Sequence, residues 1–308
     1  MRVIVVSAAD EAYAAPLRDL LRSVRRFRPL DPLELGVLDL GLAPRTQAEL
    51  AAQGVAVVEP GWDLDLGEDR QRRSPHLRAM TARPWLPRYF PGRDIVVWLD
   101  ADLWVQDPAA LLLYVRGAEE SGFAVAPELD RSYRTVQGPS RVGDFHRSVY
   151  RDCFGPGLAE TMLRYAVVNS GALAGRAASP VWDLWARTHA AVAARMPDYA
   201  PHAEQAALNA AVWTLWPEGI ALLPATCNWI CSLAPPLWDR RRRVLVEPHL
   251  PHAAIGLVHL AGLTAPRSLG VVGGGSVYTD LSLGGIESLH AEPGRGPSRQ
   301  QRSDVRNP

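Results

Sequence analysis

Asp94-Ile95-Val96-Val97-Trp98-Leu99-Asp100-Ala101-Asp102-Leu103-Trp104-Val105-Gln106-Asp107-Pro108 carries five consecutive apolar residues after Asp94 and then reaches two carboxylates that flank one alanine. A short, uninterrupted apolar run rich in β-branched residues reads as a strand covered on both faces, the habit of a parallel sheet. Period-two geometry would turn Asp100 and Asp102 to one side, and at a strand's carboxyl end that side faces the ligand crevice of an α/β sheet. Two such carboxylates repel unless a cation lies between them. Hard divalent ions take oxygen ligands from one or two carboxylates together with a substrate's phosphates. The plainer alternative is that these aspartates only end the strand, as Asp107-Pro108 ends its segment in a turn.

Outward from this stretch, the same alternation repeats. Arg2-Val3-Ile4-Val5-Val6 reads as a buried parallel strand, and Leu17, Leu20, Leu21 and Val24 recur at helical spacing behind Pro16. Further apolar runs fall at 34–40, 55–58, 122–126, 166–173, 219–223 and 255–260, and helical patterns cover 181–195 and 203–216. Strands alternating with helices predict an α/β fold, one domain over residues 1–285 built on a mostly parallel, Rossmann-like sheet flanked by helices. Residues 286–308 are assigned to a flexible tail, because from about Ala291 the chain is rich in Arg, Gln, Ser, Pro and Gly and has too few aliphatic side chains to offset its ordering entropy.

Composition limits the partners. The chain has 308 residues, with 33 basic and 33 acidic side chains, so no net field draws it to nucleic acid or to an anionic membrane. Every basic residue other than histidine is arginine, so phosphate contacts must come from Arg, His, backbone N–H groups or a metal. Three cysteines, Cys153, Cys227 and Cys231, are too few and too irregular for a disulfide scaffold, and a strand-like start without a leader pattern fits a cytoplasmic setting. No apolar stretch approaches the roughly 20 residues that span a bilayer. Cys227 and Cys231 lack the second pair a zinc site needs and read as buried thiols.

The order of smaller motifs carries a resemblance. Val6-Ser7-Ala8-Ala9-Asp10-Glu11-Ala12-Tyr13, Asp39-Leu40-Gly41-Leu42, Ala82-Arg83, Leu99-Asp100-Ala101-Asp102, Val168-Asn169-Ser170-Gly171-Ala172-Leu173, Glu204-Gln205 with Leu208-Asn209, Leu223-Pro224 with Asn228, and His259-Leu260-Ala261-Gly262 follow one another along the chain. Together, over residues 2–267, they resemble the family 8 glycosyltransferases, which have the GT-A fold. The resemblance implies that Ala8, Ala9 and Asp10 border the base of a nucleotide-sugar donor and that Tyr13 stacks on it. An aromatic face beside a carboxylate suits uracil, whose imide N–H is a donor. It further implies that Arg83 lies near the ribose and sugar, that Asp100 and Asp102 with His259 hold the metal, and that Ala101 and Gly262 line the donor site. Imidazole nitrogen suits Mn²⁺ better than Mg²⁺, so manganese is the first expectation. Tyr13 as a core residue, Arg83 as a partner of nearby acids and His259 as a structural histidine are the corresponding bland readings.

Two departures from the family pattern stand out. Ala265 occupies the place where relatives carry a diphosphate-binding lysine, which leaves Arg267 as the candidate substitute, and Glu204 replaces an aspartate. The expected activity is metal-dependent transfer of a hexose-type sugar from a UDP-sugar to a hydroxyl acceptor with retention, Glu204, Gln205 and Asn169 shaping the sugar pocket. Double displacement through Glu204 is the alternative route. A catalytically silent nucleotide-sugar-binding protein, a self-glycosylating protein and a nucleotidyltransferase are rival classes, although the last normally needs a Gly-rich basic loop that Ser7-Ala8-Ala9-Asp10 does not supply. Residues 129–157 read as a polar, aromatic loop, either an acceptor lid or a solvated connection. Arg240 to Arg243 and Gly273 to Gly275 read as turns.

Overall fold

The computed structural model describes residues 1–136, 141–196 and 199–291; for Arg141 and Val142 it describes the helical backbone alone. The strands are β1 (Val3–Ala9), β2 (Glu34–Asp39), β3 (Ala56–Val58), β4 (Ile95–Leu99), β5 (Leu103–Val105), β6 (Phe123–Pro127), β7 (Val168–Arg176), β8 (Ile220–Leu222), β9 (Trp229–Ile230), β10 (Leu237–Asp239), β11 (Val244–Val246), β12 (Leu257–His259), β13 (Arg267–Gly270) and β14 (Ser276–Thr279).

Seven of them form the central sheet in the order β3-β2-β1-β4-β7-β6-β8. It is mostly parallel, as the apolar runs predict; β7 alone runs against its neighbours, pairing antiparallel with β4 and β6. The alternation inside each strand explains the layering. Val3, Val5, Val97 and Leu99 point into one core with Leu17, Leu20 and Val24 of the helix Ala14–Arg25 and Leu111 and Tyr114 of the helix Pro108–Ser121. Ile4, Val6, Val96 and Trp98 point into the other, with Trp182 and Trp185 of the helix Pro180–Ala193 and Leu208 and Val212 of the helix Ala203–Leu215. Both faces are covered, so an uninterrupted apolar strand is what the architecture requires. Side-chain caps fix where two helices start: Asp107 accepts from Ala109 N–H and Ser179 from Val181 N–H, each with a proline at the first helical position.

Several readings change on contact with the structure. The segment 129–157 is not a loop throughout, since Arg141–Met162 is helical with one break at Gly155; residues 137–140 of that segment lie outside the described residues. Residues 286–291 belong to the helix Leu283–Ala291, and Ile286 is buried in the cluster around Trp104, Trp229 and Trp238. Composition masked that helix because Gly284 and Gly285 open it and polar residues follow it. The remainder of the expected tail, 292–308, lies outside the described residues. Arg240 to Arg243 and Gly273 to Gly275 are hairpin turns between β10 and β11 and between β13 and β14, the three glycines all at positive φ. Cys153, Cys227 and Cys231 are free, buried thiols, and burial pushes each up to about 12. Among the described residues no helix is long and apolar enough to cross a membrane.

Candidate active site

Asp100 and Asp102 do not converge by strand alternation. β4 ends at Leu99, and Asp100-Ala101-Asp102 is a turn closed by a hydrogen bond from Leu103 N–H to the Asp100 carbonyl at 3.0 Å, leading into β5. The turn gathers the carboxylates, and the next strand brings the third group. β5 pairs antiparallel with β12, setting His259 opposite Leu103. His259 Nε2 consequently lies 3.5 Å from Asp102 Oδ1 and 3.9 Å from Asp100 Oδ2. One ligand atom from each of the three residues falls within 4.8 Å of the others.

Hydrogen bonding decides which atoms remain available. Arg83 Nη2 and Trp98 Nε1 both donate to Asp100 Oδ1, at 2.5 and 2.9 Å, leaving Oδ2. Gly262 N–H donates to Asp102 Oδ2 at 2.9 Å, leaving Oδ1. His259 Nδ1 lies 3.0 Å from Asn228 Oδ1, leaving Nε2. The three uncommitted atoms are the three that face one another. Two carboxylate oxygens and one imidazole nitrogen suit a divalent cation. Gly171 completes the enclosure: a Cβ there would lie 2.5 Å from His259 Cε1 and 2.9 Å from Asp100 Oδ2, so the site needs a residue without a side chain behind it. Burial raises the Asp102 carboxyl, but His259 and the Gly262 N–H outweigh it and hold the group below the ordinary aspartate value. Burial lowers His259, and Asp102 and Asp100 together overcome that and raise it.

Beneath Asp100 lies a buried charge cluster. Arg83, 7% exposed, stacks over the Trp98 ring with its guanidinium carbon 4.8 Å from the centroid and bonds Ser170 Oγ at 3.0 Å and Glu204 Oε2 at 3.1 Å. Glu204 is 1% exposed and, among the described residues, its Oε1 has no partner. Burial pushes its carboxyl up to about 7, Arg83 opposing and Asp100 reinforcing the shift. Gln205 and Asn169 stand beside it. Gln205 Oε1 accepts from Ser170 N–H at 3.1 Å, and Asn169 Nδ2 donates to Glu128 Oε1 at 2.9 Å.

A cleft of about 590 Å³ opens on the carboxylates and is lined by Ala8, Ala9, Asp10, Tyr13, Arg83, Asp100, Ala101, Asp102, His259 and Gly262, ten of the residues expected from the sequence. That size suits a nucleotide-sized ligand. Asp10 caps the short helical turn Glu11–Tyr13 by accepting from Tyr13 N–H at 3.1 Å. This holds Tyr13 half exposed at the mouth, where burial and then Asp102, Asp10 and Asp100 raise its phenol. Asn169, Glu204, Gln205 and Arg267 do not line the cleft. The Arg267 guanidinium turns back on the Ala265 carbonyl at 3.1 Å.

His76, Met80, Trp98 and His202 line the cleft without having been picked out as site residues from the sequence. His76 and His202 each sit at the N-cap of a helix, and a helix start is the single signal the sequence holds for them. Glu128, directly after β6, follows the same rule as Asp100, a carboxylate at the end of a buried strand, and was equally legible.

The chain matches no protein-family model and no curated protein sequence. Solved structures do match. The galactosyltransferase LgtC in complex with donor and acceptor sugar analogs superposes with a TM-score of 0.53 at 17% identity, over 85% of this chain and 88% of that one. An active-site mutant of LgtC gives 0.50 at 17% identity, over 84% and 87%. Mouse xyloside xylosyltransferase 1 in its apo form gives 0.48 at 13% identity, over 86% and 98%. The fold is that of the GT-A glycosyltransferases.

Proposed function

We propose that this chain is a metal-dependent glycosyltransferase that moves a hexose-type sugar from a UDP-sugar to a hydroxyl acceptor with retention of anomeric configuration. The observation that carries the reading is the convergence of three uncommitted ligand atoms, Asp100 Oδ2, Asp102 Oδ1 and His259 Nε2, on a cleft that Ala8, Ala9, Asp10 and Tyr13 also line. The likeness to LgtC, solved with donor and acceptor sugar analogs, is consistent with it.

Asp100, Asp102 and His259 would hold the divalent ion, with Mn²⁺ favoured by the imidazole. When bound, the ion neutralises charge on the departing diphosphate. Tyr13 offers its ring to the base, with the Ala8-Ala9-Asp10 backbone beside it. Arg83 serves the donor indirectly: by holding Asp100 Oδ1 it presents Oδ2 to the cleft. Its hydrogen bonds to Asp100, Glu204 and Ser170 engage both terminal nitrogens. Glu204 lies under Arg83 at 1% exposure, which disfavours it as a nucleophile facing the anomeric carbon and favours front-face attack, in which the leaving phosphate oxygen takes the acceptor proton.

One observation favours a second reading. Arg267, the candidate replacement for the absent lysine, lies outside the cleft, so the diphosphate has no arginine clamp from that segment. A protein that binds the nucleotide sugar without turning it over would have such a site. Incubation with a panel of UDP-sugars and Mn²⁺, with released UDP measured and the intact protein weighed by mass spectrometry, separates the readings. Chelator-sensitive UDP release is the expected outcome; a mass increase would make the chain its own acceptor. Binding of UDP without release from any donor would establish the silent binder instead.

A further inference from the structure

Which nitrogen of His259 carries its proton is decided by residues well removed from the cleft mouth. The Gly171 backbone N–H, which can only donate, bonds Asn169 Oδ1 at 2.9 Å. Asn169 is thereby oriented: its Nδ2 must face Glu128 Oε1 at 2.9 Å and Gln205 Oε1 at 3.4 Å. A neighbour of Asn169 Oδ1 must donate to it, so Asn228 presents Nδ2 there, at 3.0 Å. That turns Asn228 Oδ1 toward His259 Nδ1, at 3.0 Å. A carbonyl oxygen only accepts, so Nδ1 bears the hydrogen and Nε2 keeps its lone pair for the cleft. The far end agrees independently, because the Glu128 carboxylate also only accepts.

We propose that Glu128, Asn169 and Asn228 form a directional hydrogen-bond relay that fixes the tautomer of His259, with Asn169, held between the Gly171 N–H and the Glu128 carboxylate, as the positioning residue that sets its direction. The relay is closed to substitution by solvent, since Asn228 is 2% exposed and Glu128 9% exposed. Asn169 has both amide hydrogens and both acceptor positions engaged by protein groups, so it is a link in this chain of bonds. Glu128 has a second partner: its Oε2 lies 3.2 Å from Nε2 of His146, on the helix Arg141–Met162. The helix Arg141–Met162 is thus linked to His259 by a line of five side chains that runs from His146 through Glu128, Asn169 and Asn228 to the imidazole. Without the relay the neutral imidazole would place its hydrogen on Nε2, facing Asp102 Oδ1 at 3.5 Å, and the ligand atom would be lost.

The consequence for metal binding rests on the reading of His259 as a ligand; the tautomer does not. Two readouts therefore test them separately. Long-range ¹H–¹⁵N NMR of the chelator-treated, ¹⁵N-labelled protein at pH 9 reads the tautomer, and the free Mn²⁺ signal in electron paramagnetic resonance, with Mn²⁺ alone as the probe, reads affinity. Wild type is expected to have a pyrrole-type Nδ1, Asn228→Ala to move the hydrogen to Nε2 and to weaken Mn²⁺ binding by roughly 10–100-fold. Asn169→Ala removes the acceptor that orients Asn228 and is expected to give a mixture of tautomers and a several-fold loss. Asn228→Asp keeps an acceptor for Nδ1 and should retain the wild-type tautomer, which provides a test if Asn228→Ala does not fold. A wild-type hydrogen on Nε2, an unchanged tautomer in Asn228→Ala, a hydrogen on Nε2 in Asn228→Asp, or Asn169→Ala unchanged in both readouts would overturn the relay. The expected tautomers with no Mn²⁺ binding by wild type would uphold the relay and remove the metal reading.

Discussion

Replacing Glu204 by glutamine should make the protein more stable at pH 8 than the wild type, and by little or nothing at pH 4.5. Glu204 is fully enclosed, one of its oxygens has no partner among the described residues, and its carboxyl is pushed from 4.5 up to about 7. A folded-state value above the unfolded one means the folded protein holds the proton more tightly. Between these two values the folded state binds more protons than the unfolded state, so stability falls as pH rises from about 4.5 through about 7 and levels off above. The shift is about 2.5 units at roughly 1.4 kcal/mol each, which sets the effect at about 3 kcal/mol. Glutamine mimics the protonated carboxyl and carries no charge at any pH, so other titrating groups largely cancel in the difference. Urea unfolding of both proteins in chelator, from pH 4.5 to pH 8, measures it. A difference that is flat with pH, or a wild type that gains on the variant as pH rises, would mean that the Arg83 ion pair outweighs burial and that the reasoning is wrong.

Other perturbations probe the same assembly from different sides. Arg83→Met leaves the Glu204 carboxylate buried without its counter-charge and should destabilise the protein by about 3–5 kcal/mol at pH 8, less at pH 5 where Glu204 is protonated; thermal or urea unfolding at both values checks it. Gly171→Ala forces a methyl against His259 and Asp100 and should cost about 1–3 kcal/mol while weakening Mn²⁺ binding, a pairing that calorimetric titration and unfolding can test together. Tyr13→Ala removes the one exposed ring beside the Ala8-Ala9-Asp10 wall, and loss of about 1–3 kcal/mol of base stacking should weaken UDP binding by roughly 5–150-fold with stability little changed.

The parts of this protein that the sequence made legible are those governed by local pattern. Ile95–Leu99 and Val3–Ala9 read as buried strands because both faces of the sheet are covered, and ten cleft residues were named through the collinear series of motifs that resembles the family 8 glycosyltransferases, most of them at or just after strand ends. Direction was not legible: an apolar run such as Val168–Arg176 looks the same whether parallel or antiparallel to its neighbours, and β7 is antiparallel. Nor was the turn that gathers Asp100 and Asp102, since alternation and a closed turn predict the same proximity. The approach of His259 depends on β12 pairing with β5, more than 150 residues apart in the chain, a contact that no local pattern records. The burial of Glu204 under Arg83 was hidden for the same reason. A carboxylate at the start of a helix ordinarily faces solvent, and only the fold brings Arg83 and Asp100 over it.

The central claim is that Asp100, Asp102 and His259 hold a cation on which sugar transfer depends, and Asp102→Asn measures it most directly. UDP released from a UDP-sugar should be followed for wild type and variant across a Mn²⁺ titration that starts from chelator-treated protein. Wild type is expected to release none without the metal and to recover as Mn²⁺ is added, and the variant to release at least about a hundredfold less at every concentration, equivalent to roughly 3 kcal/mol of lost stabilisation. Release by wild type that ignores the chelator, or full activity in Asp102→Asn, would contradict it.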